Sequence, residues 1–439
     1  MNSAAQFDEP LSDLQTAQED RPVPCSRRIG AAGTGKTFSL LRDVGLDPSF
    51  GLLTSTTGIS AVNLGAITVH STLRYSTTDV LRDIFLSGRL QRTLHGIAVK
   101  YRRLIVEEYS MSDADQLDIW YRGVQEANRY ADVKEPLGIM LVGDLAQLPP
   151  VNAKWCFEAS CWGRFADNTE RLDRVYRQEG GNFLDALNCL RKGEGGYAME
   201  LLSQAGAQWN TIVDTEFEGT TILPKNKMVD RYNALGLDRI KQPPIMVRKR
   251  EWGKTRKEWE NIPSELTLKV GAYVMVLSNA RDFSFVNGDC GHVVDYHADA
   301  DCFIIQLVRT QQPIAIPRIV RSCDQADEPE GWSGDRLMGD DDDGRWYPKP
   351  HLRAKSKRYV LGQVEYFPLR LAYASTVHKS QSLTLDRVQV DYRDWFFGKP
   401  AMLYVALSRC RTLEGLRLVG MREKFVKQCS IDGRVLPWL

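Results

Sequence analysis

The 439-residue sequence predicts an α/β fold built from parallel, doubly wound sheets in two similar lobes, each interrupted by an insertion of different texture. Three observations predict it. Short apolar runs, "GLLTST" from Gly51, "RLIVEE" from Arg103 and "GIMLVGD" from Gly138, alternate with longer periodic segments, as strands covered by crossover helices do. A glycine-rich stretch, "GAAGTGKT", occupies residues 30–37, where a first strand should turn into a first helix. From about Leu172 the same rhythm restarts in "TTILPKNKMVDRYNAL", "LRLAYASTVHKSQSL", "DRVQVDY", "MLYVALSR" and "GLRLVG".

Composition excludes several classes. The chain is long enough for roughly three domains at about 150 residues each. Its 43% hydrophobic and 26% charged residues are ordinary globular values, and no apolar run approaches the ~18 residues that cross a bilayer. No membrane association is expected. The opening "MNSAAQFDEPLSDLQTAQED" has neither a secretory nor a transit character, so the expected setting is cytoplasmic, bacterial or phage-encoded. Nine scattered cysteines support neither a disulfide framework nor zinc spacing. Net charge is only +1, so any nucleic acid must be held by local basic surface.

The stretch at 30–37 satisfies G-x-x-x-x-G-K-[ST], the phosphate-binding loop. Gly30, Gly33 and Gly35 let the backbone curl so that successive N–H groups point at a phosphate, and the following helix adds the positive end of its dipole. Gly30, Gly33, Thr34, Gly35, Lys36 and Thr37 are therefore the expected ATP contacts, with Lys36 on the β- and γ-phosphates and Thr37 on magnesium. The strand before the loop, "RPVPCSRRI", carries two prolines and an arginine pair, and a short strand is expected there.

"LIVEEYSM" at 104–111 places Glu107 and Glu108 together at a strand end. Two carboxylates there are either solvated or a metal and water site. In a phosphate-loop fold the second reading is favoured, because ligands gather at the carboxyl ends of the strands. Asp144 closes another strand and joins the nucleotide contacts.

Eight segments, "GAAGTGKT", "TSTTGISAVNLGAITVHS", "LIVEEYSM", "VGDLAQLPPV", "LDRVYRQ", "LKVGAYVMVLSN", "STVHKSQSLTLDRV" and "YVALSRCRTLEGL", stand in the order of the motifs of superfamily 1 DNA helicases. From about Gly30 to Gly420 the chain most resembles their PIF/RecD-type branch. The resemblance implies two RecA-like P-loop lobes and an ATP-dependent DNA helicase that moves 5′ to 3′ on single-stranded DNA, in replication, recombination or repair. It implies Lys36 and Thr37 on ATP and magnesium, Glu107 at the metal and Glu108 as the catalytic carboxylate. Gln147 resembles the γ-phosphate sensor, and Arg177 and Arg409 resemble two arginine fingers, which suit charge spread over phosphoryl oxygens. Thr57, His70, His378 and Ser380 fall on positions implied to contact single-stranded DNA. Forked DNA, single-strand-binding or replication proteins are the implied partners, and a monomeric or weakly self-associating state is expected.

Four departures stand out. Glu107 replaces the family's aspartate and is one methylene longer; magnesium demands near-ideal octahedral geometry, so a contact through metal-bound water suits it better than direct ligation. Thr56 stands in place of a proline, and Ser382 in place of a glycine. The adenine-contacting glutamine segment that the resemblance implies before the loop is indistinct, with Gln15 and Gln18 in "LSDLQTAQ" as its candidates. A slowly hydrolysing single-strand-binding remodeller is the alternative that Glu107 and Ser382 leave open.

The expected boundaries are 1–171 for the first lobe, with a strand-separating wedge at about 75–100; 172–266 for the first part of the second lobe; 267–366 for a small β-barrel insertion; and 367–439 for the rest of the second lobe. "VRKREWGKTRKEW", 247–259, interleaves basic residues with Trp252 and Trp259, which suits phosphate contact with base stacking and suits a solvated loop equally. In "HLRAKSKRY", Arg353, Lys355 and Lys357 form either a DNA-facing ridge or a protected sheet edge.

Overall fold

Two adjacent arginines in a central strand set the local architecture around the glycine-rich loop. In the computed structural model, β1 (Cys25–Ile29) lies between two parallel neighbours, and Arg27 and Arg28 are nearly buried within it. Arg28 donates to Glu170 at 2.7 Å, to Asp43 at 2.8 Å and to Ser39 at 3.1 Å, so its charge is paired rather than stranded. Arg27 donates to Thr169 at 2.6 Å and lies over the Trp162 and Trp438 rings. The expected short strand is five residues long. Its prolines precede it, and the Pro24 carbonyl accepts the Ile139 N–H at 2.9 Å, where only an acceptor is needed.

The structure describes residues 21–130, 132–255, 259–260, 262–278, 280, 284–285, 288–325, 338–340, 346–348, 351–353, 358–381, 383–394 and 400–439. Ser382, Gln15, Gln18, Lys355 and Lys357 lie outside them. The described residues divide into two units, one holding those between 233 and 372 and the other those between 21 and 232 with those between 373 and 439.

The larger unit contains two parallel sheets. The first joins β2 (Leu52–Ser55), β3 (Ile67–Thr68), β4 (Arg103–Glu107), β5 (Gly138–Gly143) and β6 (Thr169–Arg171) to β1 in the order β3-β2-β4-β5-β1-β6. Every residue of β5 is buried, which is why it reads as an unbroken apolar run rather than an alternation. The second sheet is formed by Gln208–Asn210, Thr220–Leu223, Ala374–Thr376, Val388–Asp391 and Leu416–Val419, again all parallel. These are two RecA-like P-loop lobes.

Between β3 and β4 lie helices Thr78–Leu86 and Arg89–Ala98, the segment expected as a wedge. Their apolar residues Leu81, Ile84, Leu90, Leu94 and Ile97 belong to the first lobe's core, packed with Leu117, Trp120 and Val124 of the helix Ala114–Ala127. A β-carbon at Gly123 would lie 2.8 Å from Leu94 Cδ1, so the close approach of these helices requires glycine there. The C-terminal turn Gly433–Trp438 returns to the same core: Val435 is fully buried, and Trp438 packs on Phe157 and Trp162.

The smaller unit is antiparallel. One sheet runs Pro313–Pro317, Cys302–Leu307, Cys290–His297, Tyr273–Val276, Leu369–Leu371; others contain Arg250–Gly253, Ile319–Gln325 and Arg358–Tyr366, and Ile245–Arg248 with Glu265–Leu268. Phe303 and Phe367 meet edge to face in its core at 4.9 Å. The unit begins at 233, ahead of the 267 boundary read from the sequence, because the strands around 245–268 pair within it. Trp252 and Trp259 are buried, so the interleaved tryptophans are core residues and offer no stacking surface.

Trp120→Ala removes a fully buried indole from the first lobe's core. It is expected to cost about 3–5 kcal/mol, read as a lowered urea midpoint of the cooperative transition.

Candidate active site

The glycine-rich loop curls as its sequence requires. Gly33 and Gly35 have φ of 85° and 78°, the left-handed region that glycine enters without strain, and Gly35 caps the helix Lys36–Leu46. A β-carbon at Gly30 would lie 2.5 Å from the Leu172 carbonyl oxygen, and one at Gly33 would lie 2.6 Å from Arg177 Cβ. The loop is therefore pressed against 172–178, whose Leu172 and Tyr176 N–H groups donate to Ile29 and Gly33 at 2.8 Å each. Thr34 is buried and donates to the Ala31 carbonyl at 2.9 Å. The Lys36 ammonium donates to the Gly30 and Ala31 carbonyls at 2.8 and 2.9 Å; burial lowers its pKa, while Asp144, Glu108 and Glu107 oppose that shift.

Both glutamates are buried at the end of β4, 3% and 5% exposed. Glu107 accepts from Thr37 and Ser55, each at 3.2 Å, and from Ser60. Burial, and then the adjacent Glu108 carboxylate, raise its pKa. Glu108 adopts φ 55°, ψ 40°, a left-handed conformation costing a non-glycine residue roughly 1–2 kcal/mol. Thr56 holds this turn: its hydroxyl donates to the Glu108 carbonyl at 2.8 Å and its N–H to the Glu107 carbonyl at 3.1 Å. A proline at position 56 would lack both of these donors.

The second lobe supplies the cations. Arg177 donates to the Ser408 carbonyl at 2.9 Å, and Gln178 to the Ser408 and Cys410 carbonyls at 3.2 and 2.7 Å. Arg409 is 1% exposed and donates to the Val405 carbonyl and the Ser408 hydroxyl, both at 2.9 Å. Burial and the neighbouring Arg409 bring Arg177 down to about 9, and burial also lowers Arg409; both lie close enough to Glu108 for its charge to oppose these shifts. Gln147 is buried and accepts from Gln381 of the second lobe at 3.5 Å. Lys36, Glu107, Glu108, Arg177 and Arg409 thus form one charge cluster, its carboxylates and Arg409 buried and Lys36 and Arg177 half-buried. Asp144 is engaged otherwise: Arg191 donates to it at 3.0 Å and Tyr404 at 3.0 Å, and although burial pushes its pKa up, Arg191 outweighs that and holds it low.

Sequence reasoning missed Tyr404, Arg191 and Ser60. Tyr404 is fixed by the helix Met402–Leu407, and its hydroxyl also accepts the Ala32 N–H of the phosphate loop at 2.8 Å. It sits inside "YVALSR", so the motif carried the signal; Arg191, in "NCLRKG", carried none.

The residues expected on DNA repeat across the two lobes. "TVHS" and "TVHK" each end a strand and open a short helix, with Thr68 accepting from the Ser71 N–H at 3.1 Å and Thr376 from the Lys379 N–H at 3.2 Å. His70 packs on Tyr75 at 4.6 Å and burial lowers its pKa, whereas His378 is exposed. Thr57 is half-buried and accepts the Ser60 N–H at 3.2 Å. Ser380 faces inward: it is fully buried and donates to the Val377 carbonyl at 2.9 Å, so His378 and Lys379 occupy the outer side of that turn instead.

The donor set fits a nucleoside triphosphate with a divalent cation: a loop in which added β-carbons would collide, a helix N-terminus, a half-buried lysine, and a threonine hydroxyl beside a carboxylate. Thr37 and Glu107 are the residues that would hold the cation. Glu108→Asn is expected to abolish nucleotide hydrolysis while changing stability little, because Asn tolerates this conformation but leaves Lys36, Arg177 and Arg409 without the carboxylate that faces them. Thermal unfolding beside turnover checks the pair of effects.

The sequence signature described as AAA domain matches residues 25–208. The ATP-dependent DNA helicase Pif1 of Bdellovibrio bacteriovorus is 29% identical over 423 residues, covering 93% of this chain and 86% of that protein. The ATP-dependent DNA helicase PIF1 of Danio rerio is 30% identical over 420 residues, covering 91% of this chain and 59% of that one. The crystal structure of Bacteroides sp Pif1 in complex with ADP-AlF4 superposes with a TM-score of 0.69 at 25% identity, covering 94% of this chain and 92% of that one. Bacteroides Pif1 bound to ssDNA, at 23% identity, a TM-score of 0.57 and coverage of 94% of this chain and 92% of that one, shares the fold. With the motif order, the two parallel sheets and the charge cluster beside the phosphate loop, these likenesses make the chain similar to the PIF1-type branch of superfamily 1 helicases.

Proposed function

We propose that the protein is an ATP-dependent DNA helicase that translocates on single-stranded DNA, 5′ to 3′, and opens duplex and forked DNA. The observation that carries this reading is the charge cluster at the end of β4, in which Glu107, Glu108 and Arg409 are buried and Lys36 and Arg177 half-buried, one lobe contributing Lys36, Glu107 and Glu108 and the motif segments of the other Arg177 and Arg409.

The chemistry follows from these positions. Glu108, held in a strained turn beside the phosphate loop, accepts a proton from the attacking water. Lys36, now on loop carbonyls, exchanges them for β- and γ-phosphate oxygens. Magnesium, held by Thr37 and Glu107, neutralises phosphate charge when bound. Arg177 and Arg409 stabilise charge on the transferring group, and Gln147 relays the γ-phosphate state to Gln381. Because Gln381 follows the "TVHK" turn, a change at the phosphate reaches the proposed DNA contact His378 there, while Thr57 and His70 are the proposed DNA contacts of the first lobe. Opening each base-pair step costs about 1.4 kcal/mol, well within one hydrolysis event.

The helical pair at 78–98 is the proposed duplex-facing wedge, and 233–372 the proposed accessory unit. The protein acts as a monomer or in weak self-association, and single-strand-binding or replication proteins are its proposed partners. A bacterial or phage cytoplasm is the proposed setting; among the described residues no helix is long and apolar enough to cross a membrane.

Strand displacement on a fork with a 5′ tail, beside one with a 3′ tail, tests the assignment. ATP-dependent opening of the 5′-tailed fork alone, lost in Lys36→Ala, is the expected result. Opening from the 3′ tail overturns the polarity, and single-strand binding without any opening favours the remodeller. Arg409→Ala is expected to lower turnover by roughly 10³-fold while leaving nucleotide affinity within a few-fold, measured by hydrolysis against fluorescent-nucleotide titration.

A further inference from the structure

Glu107 is one methylene longer than the family's aspartate, and the surrounding side chains account for that length. Its Oε2 accepts from two serine hydroxyls, Ser55 at 3.2 Å and Ser60 at a shorter distance, and Oε1 accepts from Thr37 at 3.2 Å. Ser60 lies in the first turn of the helix Gly58–Asn63 and is 2% exposed; Ser55 ends β2 and is fully buried. The carboxylate is thus drawn toward β2 and the helix behind it by one of its oxygens. The other oxygen remains at the phosphate-loop hydroxyl.

We infer that Ser60, assisted by Ser55, is a positioning residue fitted to Glu107, retracting the longer side chain so that its Oε1 serves the cation site beside Thr37. This deepens the nucleotide-site reading and rests on it. Without Ser60 the carboxylate loses one of its two serine anchors, and a flexible two-methylene arm beside the Glu108 charge no longer holds Oε1 at the cation site beside Thr37. A shorter carboxylate at this position would end before reaching Ser60. The two residues therefore act as a pair, and the helix position is neutral unless residue 107 is glutamate.

The test is a double-mutant cycle over Ser60→Ala and Glu107→Asp, read as the magnesium concentration giving half-maximal binding of a fluorescent ADP analogue, with thermal unfolding measured in parallel. Ser60→Ala alone is expected to raise that concentration by roughly tenfold, the loss of a hydrogen bond to a charged group, and in the Glu107→Asp background to change it less than about twofold. Ser55→Ala should act in the same direction more weakly. A wild-type value in Ser60→Ala, or equal effects of Ser60→Ala in both backgrounds, overturns the pairing. Should Ser60→Ala unfold, Ser60→Cys, which keeps the volume with a weak donor, takes its place under the same criteria. If wild type and Lys36→Ala bind the analogue equally, the nucleotide-site reading itself fails, an outcome separate from failure of the pairing.

Discussion

The structure turns on the burial of two adjacent carboxylates. An uncompensated charge taken out of water costs several kcal/mol even after relaxation, so Glu107 and Glu108 are tenable at 3% and 5% exposure only with donors and cations around them. Serine and threonine hydroxyls serve Glu107; Lys36, Arg177 and Arg409 face Glu108. Those cations are themselves desolvated, with lowered pKa values, so neither sign of charge is comfortable without the other. Strand β4 must then end where a glycine-rich loop, the 172–178 segment and the 402–409 motif all arrive.

That requirement explains how the phosphate loop is held. Residues 172–178 touch it on one side and reach Ser408 on the other, and Tyr404 ties Ala32 to Asp144. A loop gripped by the second sheet's helix as well as by its own strand registers any movement of that helix. The proposed coupling between phosphate state and the "TVHK" turn needs only the hydrogen bond from Gln381 to Gln147 and one short helix, not remote communication.

Much of this was legible in the sequence. Unbroken apolar runs gave the parallel strands, and glycine spacing gave the loop, because both follow from local constraints. The order of motifs located Arg177 and Arg409. What stayed hidden depends on tertiary partners: Arg28 inside a central strand, tolerable only through Asp43 and Glu170; Arg191, a helix-surface arginine until Asp144 meets it; and Ser60, an ordinary helix serine until Glu107 reaches it. Trp252 and Trp259 resembled a base-stacking surface because burial cannot be read from a charge-rich neighbourhood. Ser380 followed its motif, but its hydroxyl turned back to its own helix.

The central claim is that hydrolysis at the β4 cluster is coupled to single-stranded DNA held by the same two lobes. Steady-state ATP turnover in magnesium, with and without a single-stranded oligonucleotide, tests it most directly. The account predicts slow turnover alone and strong stimulation by the oligonucleotide. Equal rates in its presence and absence, with the oligonucleotide shown to bind, would contradict it.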